Sequence, residues 1–206
     1  MICPKCRTFT GLLAFLKKQG ISMETIQAMA KNDRQRFVPS SSTKAAYYDS
    51  ALSIGYNVTI SQPSLVAFMI DELQLDAINH VLELGTGSAW NAAIISTLLP
   101  FGSLITVERV AALGKQAKEL LASKKNTNVL IGDAVNMEYK HKFDRIVVTA
   151  EFMNEKQIKN FVKRNAGYFC IAIYPYDGIL WRMTKCGSNI TLKRLKSVRF
   201  VPVIEG

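Results

Sequence analysis

The stretch VLELGTGSAWNAAII, residues 81 to 95, decides the fold of this chain. It begins with a short apolar run suited to a strand buried between helices, passes through a Gly-Thr-Gly turn and ends in an apolar pattern of helical period. Ligands of open α/β sheets bind at the carboxyl end of such a strand, where Gly85 and Gly87 let the backbone turn sharply and approach a ligand. The third glycine of the dinucleotide fingerprint is absent, which disfavours a pyrophosphate, and similar turns also occur in doubly wound folds without a cofactor.

Three apolar segments downstream of the turn predict further strands. SLITVERV reaches Glu108 about 20 residues after the turn, NVLIGDA reaches Asp133, and FDRIVVTA runs from Phe143 to Ala150. Residues 111–123, between two of them, have leucine and alanine at helical spacing. The alternation of strand and helix predicts a parallel sheet. Acidic residues at neighbouring strand ends beside a glycine turn suit a ligand with ribose and adenine but without phosphates, and S-adenosylmethionine fits that description.

Four motifs, in a fixed order, resemble one enzyme family. They are GLLAFLKKQGISMETIQAMAKNDRQRFVP, AYYDSALSIGYNVTISQPSLVAFMIDEL, LELGTGSAWNAA and the terminal RFVPVIEG. Together they resemble the protein-L-isoaspartate (D-aspartate) O-methyltransferases, and the similarity runs from about Leu12 to the C-terminus. These class I, S-adenosylmethionine-dependent enzymes esterify the abnormal carboxylate of isoaspartyl residues in damaged proteins, and the methyl ester then leads through a succinimide to repair.

The predicted fold is α/β, a Rossmann-like, doubly wound, seven-stranded and mostly parallel sheet with helices on both faces. A chain of 206 residues with 49% hydrophobic residues can bury one sizeable core, so we expect a single domain, 1–206. Residues 1–79 would form a helical, substrate-side lid, residues 80–165 the cofactor-binding core and residues 166–206 an antiparallel edge. The strands of that edge would be GYFCIAIYP, ILWRMTKCG and KSVRFVPVI, with hairpin turns at Asp177-Gly178 and Cys186-Gly187.

The resemblance implies a set of cofactor-binding residues. It places four of them around the methionine part of S-adenosylmethionine, one at the ribose and two at the adenine. Glu83 could instead be a strand-end residue that caps nearby amides. The residues around the methionine part are Glu83, Gly85, Thr86 and Gly87, the residue at the ribose is Glu108, and those at the adenine are Asp133 and Ala134.

The resemblance also implies an acceptor site in the segment TISQP. Ser61 would be the catalytic, substrate-facing hydroxyl, and Thr59, Ile60 and Pro63 would bind substrate beside it. A carboxylate with an ordinary pKa near 4 is ionised at pH 7, so the enzyme needs no general base and instead aligns the anion and excludes water. Serine followed by Gln-Pro-Ser and an apolar run is also a good helix start, so Ser61 could serve as an N-cap as well.

The chain departs from the family pattern around the substrate side. Asn57 and Val58 stand where the family usually has Gly-Gln, and Glu151 to Met153 follow the fourth strand where it has Ala and a proline-containing turn. Glu151 would place a negative charge near an anionic acceptor and oppose its binding. Two other functions therefore stay open: a methyltransferase of this fold with another acceptor, such as an Asp of a ribosomal peptide or an RNA, and an S-adenosylmethionine-binding protein without turnover.

The charge of the chain is strongly positive, at +10, and residues 151–206 carry ten basic and four acidic side chains. These cations could keep a helix and an edge strand soluble, or they could attract acidic peptides or nucleic acid. No aromatic-interleaved nucleic-acid motif accompanies them, so a nucleic-acid partner is not favoured. We expect a monomer whose partners are isoaspartyl-containing proteins or peptides, with no membrane association.

The cysteines predict no metal site. Cys3 and Cys6 form a single C-x-x-C, and no second ligand pair stands at a suitable spacing, so a flexible reduced N-terminal tail is expected, with an adventitious metal site as the alternative. No stretch approaches the length of a membrane span, and the first 20 residues lack the pattern of a secretory signal. These features predict a cytoplasmic protein.

Overall fold

The computed structural model describes residues 6–152 and 154–200. The N-terminal part contains α1 (Phe9–Lys18), α2 (Met23–Ala30), two 3-10 helices (Arg34–Phe37 and Ser40–Ala45), β1 (Leu52–Gly55), β2 (Val58–Ile60) and α3 (Pro63–Leu73). The middle part contains β3 (His80–Leu84), α4 (Trp90–Leu98), β4 (Ser103–Glu108), α5 (Ala111–Leu120), β5 (Thr127–Ile131), β6 (Phe143–Val148) and α6 (Glu155–Asn165). The last part contains β7 (Ala166–Tyr176), β8 (Ile179–Cys186) and β9 (Asn189–Ser197).

Seven strands form one sheet in the order β5-β4-β3-β6-β7-β8-β9. The pairs from β5 to β7 are parallel, whereas β8 and β9 pair antiparallel at one edge. The predicted fold class is therefore confirmed. The chain runs outward from β3 to β5 and then returns to the other side of β3, so the strand order reverses between β3 and β6. Such a switch point opens a crevice at the carboxyl ends of the strands, where doubly wound folds bind ligands.

The central strands are buried on both faces because helices cover both sides of the sheet. Val81 and Val147 belong to one hydrophobic core together with residues of α1 to α4. Their neighbours Leu82 and Ile146 belong to a second core together with residues of α6. Since successive side chains of a strand point to opposite faces, a continuous apolar run can fill both cores.

The N-terminal part is not wholly helical, because β1 and β2 form an antiparallel hairpin. Its two-residue turn, Tyr56-Asn57, has φ values of 53° and 57°. Turns of this kind need positive φ at both residues, and asparagine tolerates that conformation better than most residues. Asn57 therefore keeps the backbone path that a glycine would take, and this departure from the family pattern leaves the hairpin intact.

The C-terminal edge differs from the sequence prediction in register. Asp177-Gly178 forms the predicted hairpin turn, with positive φ at both residues. The next turn lies at Gly187-Ser188, so Asn189 pairs with Cys186 at once and β9 covers Asn189–Ser197. The predicted strand KSVRFVPVI was placed too late, because the short turn leaves no residues for a longer connection. Its last residues, 201–204, lie outside the described residues.

The predicted flexible tail is wrong for Cys6, which is only 1% exposed and belongs to the larger hydrophobic core. Burial of a cysteine is ordinary, since its side chain behaves as a small hydrophobic group. Cys3, the other half of the C-x-x-C, lies outside the described residues. Within residues 6–152 and 154–200, none of the helices has both the length and the apolarity to cross a bilayer.

Arg145 interrupts the apolar run of β6 and ties the sheet to α3. Its side chain is 8% exposed, and its Nε and Nη2 donate to the carbonyls of Leu73 and Gln74 at 2.6 and 2.8 Å. Gln74, the C-cap of α3, has a left-handed conformation. The last carbonyls of a helix lack partners within the helix, so the guanidinium satisfies groups that would otherwise be buried without one.

We expect Arg145→Met to lower the free energy of unfolding by about 2–4 kcal/mol, because it leaves buried carbonyls without a donor. Urea unfolding followed by circular dichroism measures the loss. Arg182→Met is the matched control, since Arg182 pairs with Glu72 at 3.4 Å near the same helix end but in a less buried position. Its loss should stay below about 1 kcal/mol. Equal losses in the two variants would contradict the capping role.

Candidate active site

A cleft of about 1350 Å³ opens at the carboxyl ends of β3 to β6. Its floor consists of the loops that follow these strands. Its walls come from the β1–β2 hairpin with the start of α3, and from the end of β9. The main lining segments are residues 56–62, 64–66, 84–88, 107–110, 132–135, 149–150 and 196–200.

The glycine turn after β3 requires glycine at its first position. Gly85 has φ of 89°, and a Cβ there would collide with the hydroxyl of Thr149. That hydroxyl donates to the carbonyls of Leu84 and Gly85 at 2.9 and 2.6 Å, which locks the loop after β6 against the turn. Gly87 has φ of 51°, and the nearest atom to the position of a Cβ is a methyl of Val58 at 3.8 Å. The turn therefore faces the hairpin that carries the predicted acceptor residues.

Glu108, predicted at the ribose, lines the cleft at the end of β4 and is 5% exposed. Its Oε2 accepts from the Gly87 amide at 2.7 Å, and its Oε1 accepts from the Val110 amide at 2.9 Å. A carboxylate has about four lone-pair positions, so two of them remain for other donors. Glu108 is thus fixed by the main chain and can still accept from a pair of hydroxyls.

Asp133 and Ala134, predicted at the adenine, lie on the loop after β5 and line the same cleft. The Asp133 carboxylate accepts from the Val135 amide at 2.9 Å, which folds the loop into a tight turn. The Tyr139 hydroxyl donates a hydrogen bond to the Ala134 carbonyl at 2.9 Å, which fixes the loop further. The loop presents small apolar side chains and fixed polar atoms, a combination that suits a flat heterocycle.

Glu83 does not line the cleft, because its side chain is fully buried behind the turn. Its Oε1 accepts from Asn91 Nδ2, and its Oε2 accepts from the Thr106 hydroxyl, both at 2.6 Å. Thr106 in turn lies 2.6 Å from the hydroxyl of Thr86. Burial raises the pKa of Glu83 to about 7, while both hydrogen bonds oppose the shift. Glu83 therefore reaches the cleft only through Thr86 and Asn91, which line it.

Ser61 lines the cleft together with Thr59 and Ile60, on the wall opposite the glycine turn. Within the described residues, its hydroxyl makes no hydrogen bond. The alternative that Ser61 caps α3 is wrong, because the N-cap position is Gln62 and the Ser64 amide donates to Asp49 at 2.8 Å. Pro63, also predicted to bind substrate, is buried at the first position of α3 and does not line the cleft.

Glu151 points away from the cleft. Its Oε1 accepts from the Gly178 amide at 2.6 Å, so its charge lies at the β7–β8 turn. The neighbouring residues Thr149 and Ala150 line the cleft, whereas Glu151 does not. Met153, the last residue of this departure from the family pattern, lies outside the described residues.

Several residues of the site were missed at the level of sequence. Asp49, Asn91 and Thr106 position the predicted residues, and residues 196–200 supply a wall. One signal was available: Glu83 and Thr106 are polar residues inside two buried strands, and the parallel register places them opposite each other. The wall from residues 196–200 has no comparable signal, because it depends on where the antiparallel edge ends.

The hydrogen-bond acceptors of the cleft fit an adenosyl cofactor. Two carboxylates at neighbouring strand ends can accept from hydroxyl and amino groups, and the glycine turn leaves its main chain accessible between them. The side-chain oxygen of Asn91, on the cleft wall, is buried and has no partner among the described residues, so it offers one more acceptor. Such acceptors suit a ligand with a diol and amino groups, and they would repel a pyrophosphate.

We expect the stability of Glu83→Gln, relative to that of the wild type, to increase as the pH rises from 5 to 8. The pKa of Glu83 rises from 4.5 to about 7 on folding, so its favourable contribution is complete below pH 4.5 and is lost as the pH rises through 7. Glutamine cannot ionise and keeps the shape. The gain in unfolding free energy at pH 8, relative to pH 5, should be about 2–3 kcal/mol.

Urea unfolding of both proteins at the two pH values measures this difference. Glu138→Gln, which removes an exposed carboxylate, controls for the loss of one negative charge. An equal effect of both substitutions at both pH values would show that Glu83 is not the source.

Sequence comparisons agree with the geometry of the site. A profile of the protein-L-isoaspartate(D-aspartate) O-methyltransferases matches residues 8–206. The protein-L-isoaspartate O-methyltransferase of Fervidobacterium nodosum is 37% identical over 199 residues, which cover 93% of this chain and 99% of that protein. The enzyme of the same name from a Bradyrhizobium species is 36% identical over 197 residues, which cover 93% of this chain and 91% of that protein.

A solved structure supports the fold independently. The protein-L-isoaspartate O-methyltransferase of Plasmodium falciparum, in complex with S-adenosyl-L-homocysteine, superimposes with a TM-score of 0.81. The match covers 95% of this chain and 97% of the other at 22% identity, so it bears on the fold alone. With the profile match over almost the whole chain and two relatives above 35% identity, the chain belongs to the protein-L-isoaspartate(D-aspartate) O-methyltransferase family.

Proposed function

We propose that this protein is an S-adenosylmethionine-dependent carboxyl methyltransferase that esterifies L-isoaspartyl residues of damaged proteins. The observation that carries the proposal is one cleft that contains the glycine turn with Glu108 and Asp133 on its floor and, on its wall, Ser61, whose hydroxyl makes no hydrogen bond to any described residue. A cofactor site and an acceptor site in one cleft are what a direct transfer requires. The names of the family and of its relatives support the same acceptor.

The proposed reaction needs alignment rather than a base. When bound, the cofactor supplies a methyl group on a positively charged sulfur. The glycine turn, Glu108 and Asp133 would hold the cofactor, which would supply its methyl to a carboxylate oxygen of the isoaspartyl residue and keep the electron pair of the broken carbon–sulfur bond on sulfur. The acceptor is ionised at neutral pH, so no proton has to move. Ser61 donates a hydrogen bond to the second carboxylate oxygen and orients the anion without pairing its charge.

The walls of the cleft support this chemistry by their apolarity and charge. Ile60, Val66 and Phe200 line the cleft and limit the access of water to the acceptor. Lys196 and Arg199 stand on the wall formed by residues 196–200 and create a positive potential that favours an anionic acceptor. The basic C-terminal part of the chain thus has a role in acceptor binding that needs no nucleic acid.

Incubation with radiolabelled S-adenosylmethionine and an isoaspartyl peptide, beside its normal aspartyl twin, tests the proposal. We expect base-labile methyl ester on the isoaspartyl peptide alone. Cofactor binding without transfer to either peptide would indicate a binding protein without turnover. Label on RNA or on the aspartyl peptide instead would indicate another acceptor. Binding without transfer and transfer to another acceptor would each contradict the proposal.

Ser61→Ala should lower kcat for the isoaspartyl peptide about 10²-fold, because the acceptor loses its orienting donor. The Kd for S-adenosylhomocysteine should change less than about 3-fold, since Ser61 lies on the acceptor wall. Steady-state kinetics and calorimetry measure the two effects. Ser53→Ala makes the same chemical change on the neighbouring strand β1, away from the cleft, and should leave both constants unchanged. A proportional loss of both constants in Ser61→Ala would rule out the acceptor role.

Glu151→Gln should leave the KM for the isoaspartyl peptide within about 2-fold, because the carboxylate faces the Gly178 amide. Glutamine keeps an oxygen for that amide, so the fold is preserved. Arg199→Gln, on the cleft wall, should raise KM about 5-fold, which corresponds to about 1 kcal/mol. A large fall of KM in Glu151→Gln would mean that its charge does oppose the acceptor.

Four sequence predictions stay predictions. They are the single domain 1–206, the monomeric state, the cytoplasmic location and the roles of the individual site residues. The positive charge of residues 151–206 also leaves a nucleic-acid partner untested, although the cleft accounts for part of that charge.

A further inference from the structure

Arg34 is a fully buried arginine near the acceptor wall, at the start of the first 3-10 helix. Within the described residues, no carboxylate lies within ion-pair distance of it. Burial lowers the pKa of Arg34 to about 10, and the charge of Asp49 opposes the shift only in part. A buried cation without an ion pair is costly unless hydrogen bonds compensate for the lost water.

Within the described residues, the Nε of the guanidinium has no hydrogen-bond partner, and the guanidinium offsets part of the lost hydration with main-chain carbonyls. Its two terminal nitrogens reach five of them, in two segments that are separate in sequence. One nitrogen donates to the segment between the 3-10 helices and β1, and the other spans both segments. The carbonyls are those of Ala46 (2.7 Å), Tyr48 (3.4 Å), Ser50 (2.9 Å), Ile60 (3.5 Å) and Ser61 (3.0 Å).

The same guanidinium also contacts the cofactor side of the cleft. It lies 5.3 Å from the ring centre of Trp90, a distance typical of a cation–π contact. Trp90 is the first residue of α4, directly after the glycine turn, and its indole nitrogen donates to the Asn32 carbonyl at 2.8 Å. Arg34 therefore joins the acceptor segment to the helix that follows the cofactor turn.

Asp49 holds the acceptor segment from the other side. Its two carboxylate oxygens accept from the Ser64 amide at 2.8 Å and from Gln62 Nε2 at 2.9 Å. The backbone of Ser61 is thus fixed at its carbonyl by Arg34 and just beyond it by Asp49. The Ser61 hydroxyl makes no hydrogen bond within the described residues, and Ser61 lines the cleft wall.

We infer that Arg34 is the positioning residue of the acceptor site: it holds the Ile60–Ser61 backbone in register with the glycine turn, so that the Ser61 hydroxyl meets the acceptor carboxylate. The inference rests on the proposed function for what Ser61 does. Arginine is required because its planar fork reaches carbonyls in several directions, whereas lysine offers a compact point charge with three donors. Misplacement of a reacting group by about 1 Å can cost about 10²-fold in rate.

The test compares Arg34→Lys with Arg145→Lys, the matched control. Arg145 is likewise buried and bonded to main-chain carbonyls, but it serves α3 and not the cleft. Hydrogen–deuterium exchange with mass spectrometry should show at least about 10-fold faster exchange in residues 46–62 for Arg34→Lys, and near residues 73–76 for Arg145→Lys. Unchanged exchange at 46–62 in Arg34→Lys would overturn the inference.

Kinetics then test whether Arg34 acts through Ser61. Arg34→Lys should lower kcat for the isoaspartyl peptide about 10²-fold and change the Kd for S-adenosylhomocysteine less than about 3-fold, whereas Arg145→Lys should preserve both below its melting temperature. In the Ser61→Ala background, Arg34→Lys should cost less than about 3-fold more, because the hydroxyl that it positions is gone. The inference would be overturned if the losses of kcat in Ser61→Ala and Arg34→Lys multiplied in the double variant, or if Arg34→Lys and Arg145→Lys had the same kinetics.

Asp49→Asn covers the case in which Arg34→Lys does not fold. Asparagine keeps the shape of the side chain but accepts a weaker hydrogen bond from the Ser64 amide. Asp49→Asn should therefore lower kcat, by less than Arg34→Lys does, and leave the Kd for S-adenosylhomocysteine nearly unchanged. An unchanged kcat in Asp49→Asn would then count against a held acceptor segment. Failure of the proposed function looks different, because the wild-type protein would transfer no label, and the exchange experiment would still decide whether Arg34 holds residues 46–62.

Discussion

The hydrogen bond from the Gly87 amide to the Glu108 carboxylate, at 2.7 Å, is the contact on which the cleft depends. It joins the turn after β3 to the end of β4, and main-chain bonds continue the connection on both sides. The Gly132 amide donates to the Glu108 carbonyl, and the Thr149 amide donates to the Leu84 carbonyl. The loops after four parallel strands are thereby bonded into one floor, so a ligand meets fixed polar atoms rather than four independent loops.

The sheet could be predicted because its signals are local. Apolar runs, the glycine turn and the Asp177-Gly178 hairpin each follow from a few consecutive residues. The N-terminal hairpin was missed, since Tyr56-Asn57 lacks the glycine that usually marks such a turn. Arg145 was missed for another reason: the α3 carbonyls that it binds lie about 70 residues away along the chain, so nothing near β6 indicates that a cation is needed there.

Some residues of the candidate site could likewise be predicted from local sequence, whereas others depend on partners that are distant along the chain. Gly85, Glu108 and Asp133 could be placed from sequence, because strand ends of a doubly wound sheet converge. The segment TISQP allowed Ser61 to be either a substrate-facing hydroxyl or the N-cap of α3. The local sequence could not decide between these roles, because the carboxylate that accepts from the first turn of α3 belongs to Asp49, 15 residues before the Ser64 amide. Glu83 shows a different limit: the sequence places it at the end of β3, but its side chain is held behind the turn by hydrogen bonds from Asn91 and Thr106, which the sequence does not indicate.

The walls of the cleft come from opposite parts of the chain. Residues 56–66 precede the sheet, residues 196–200 follow its last strand, and the floor lies between them in sequence. A chain that ends before residue 196 keeps every residue of the floor but lacks one wall. The residues for the cofactor and those for the acceptor therefore come from different lengths of the same chain, and loss of a few C-terminal residues would affect the acceptor before it affects the cofactor.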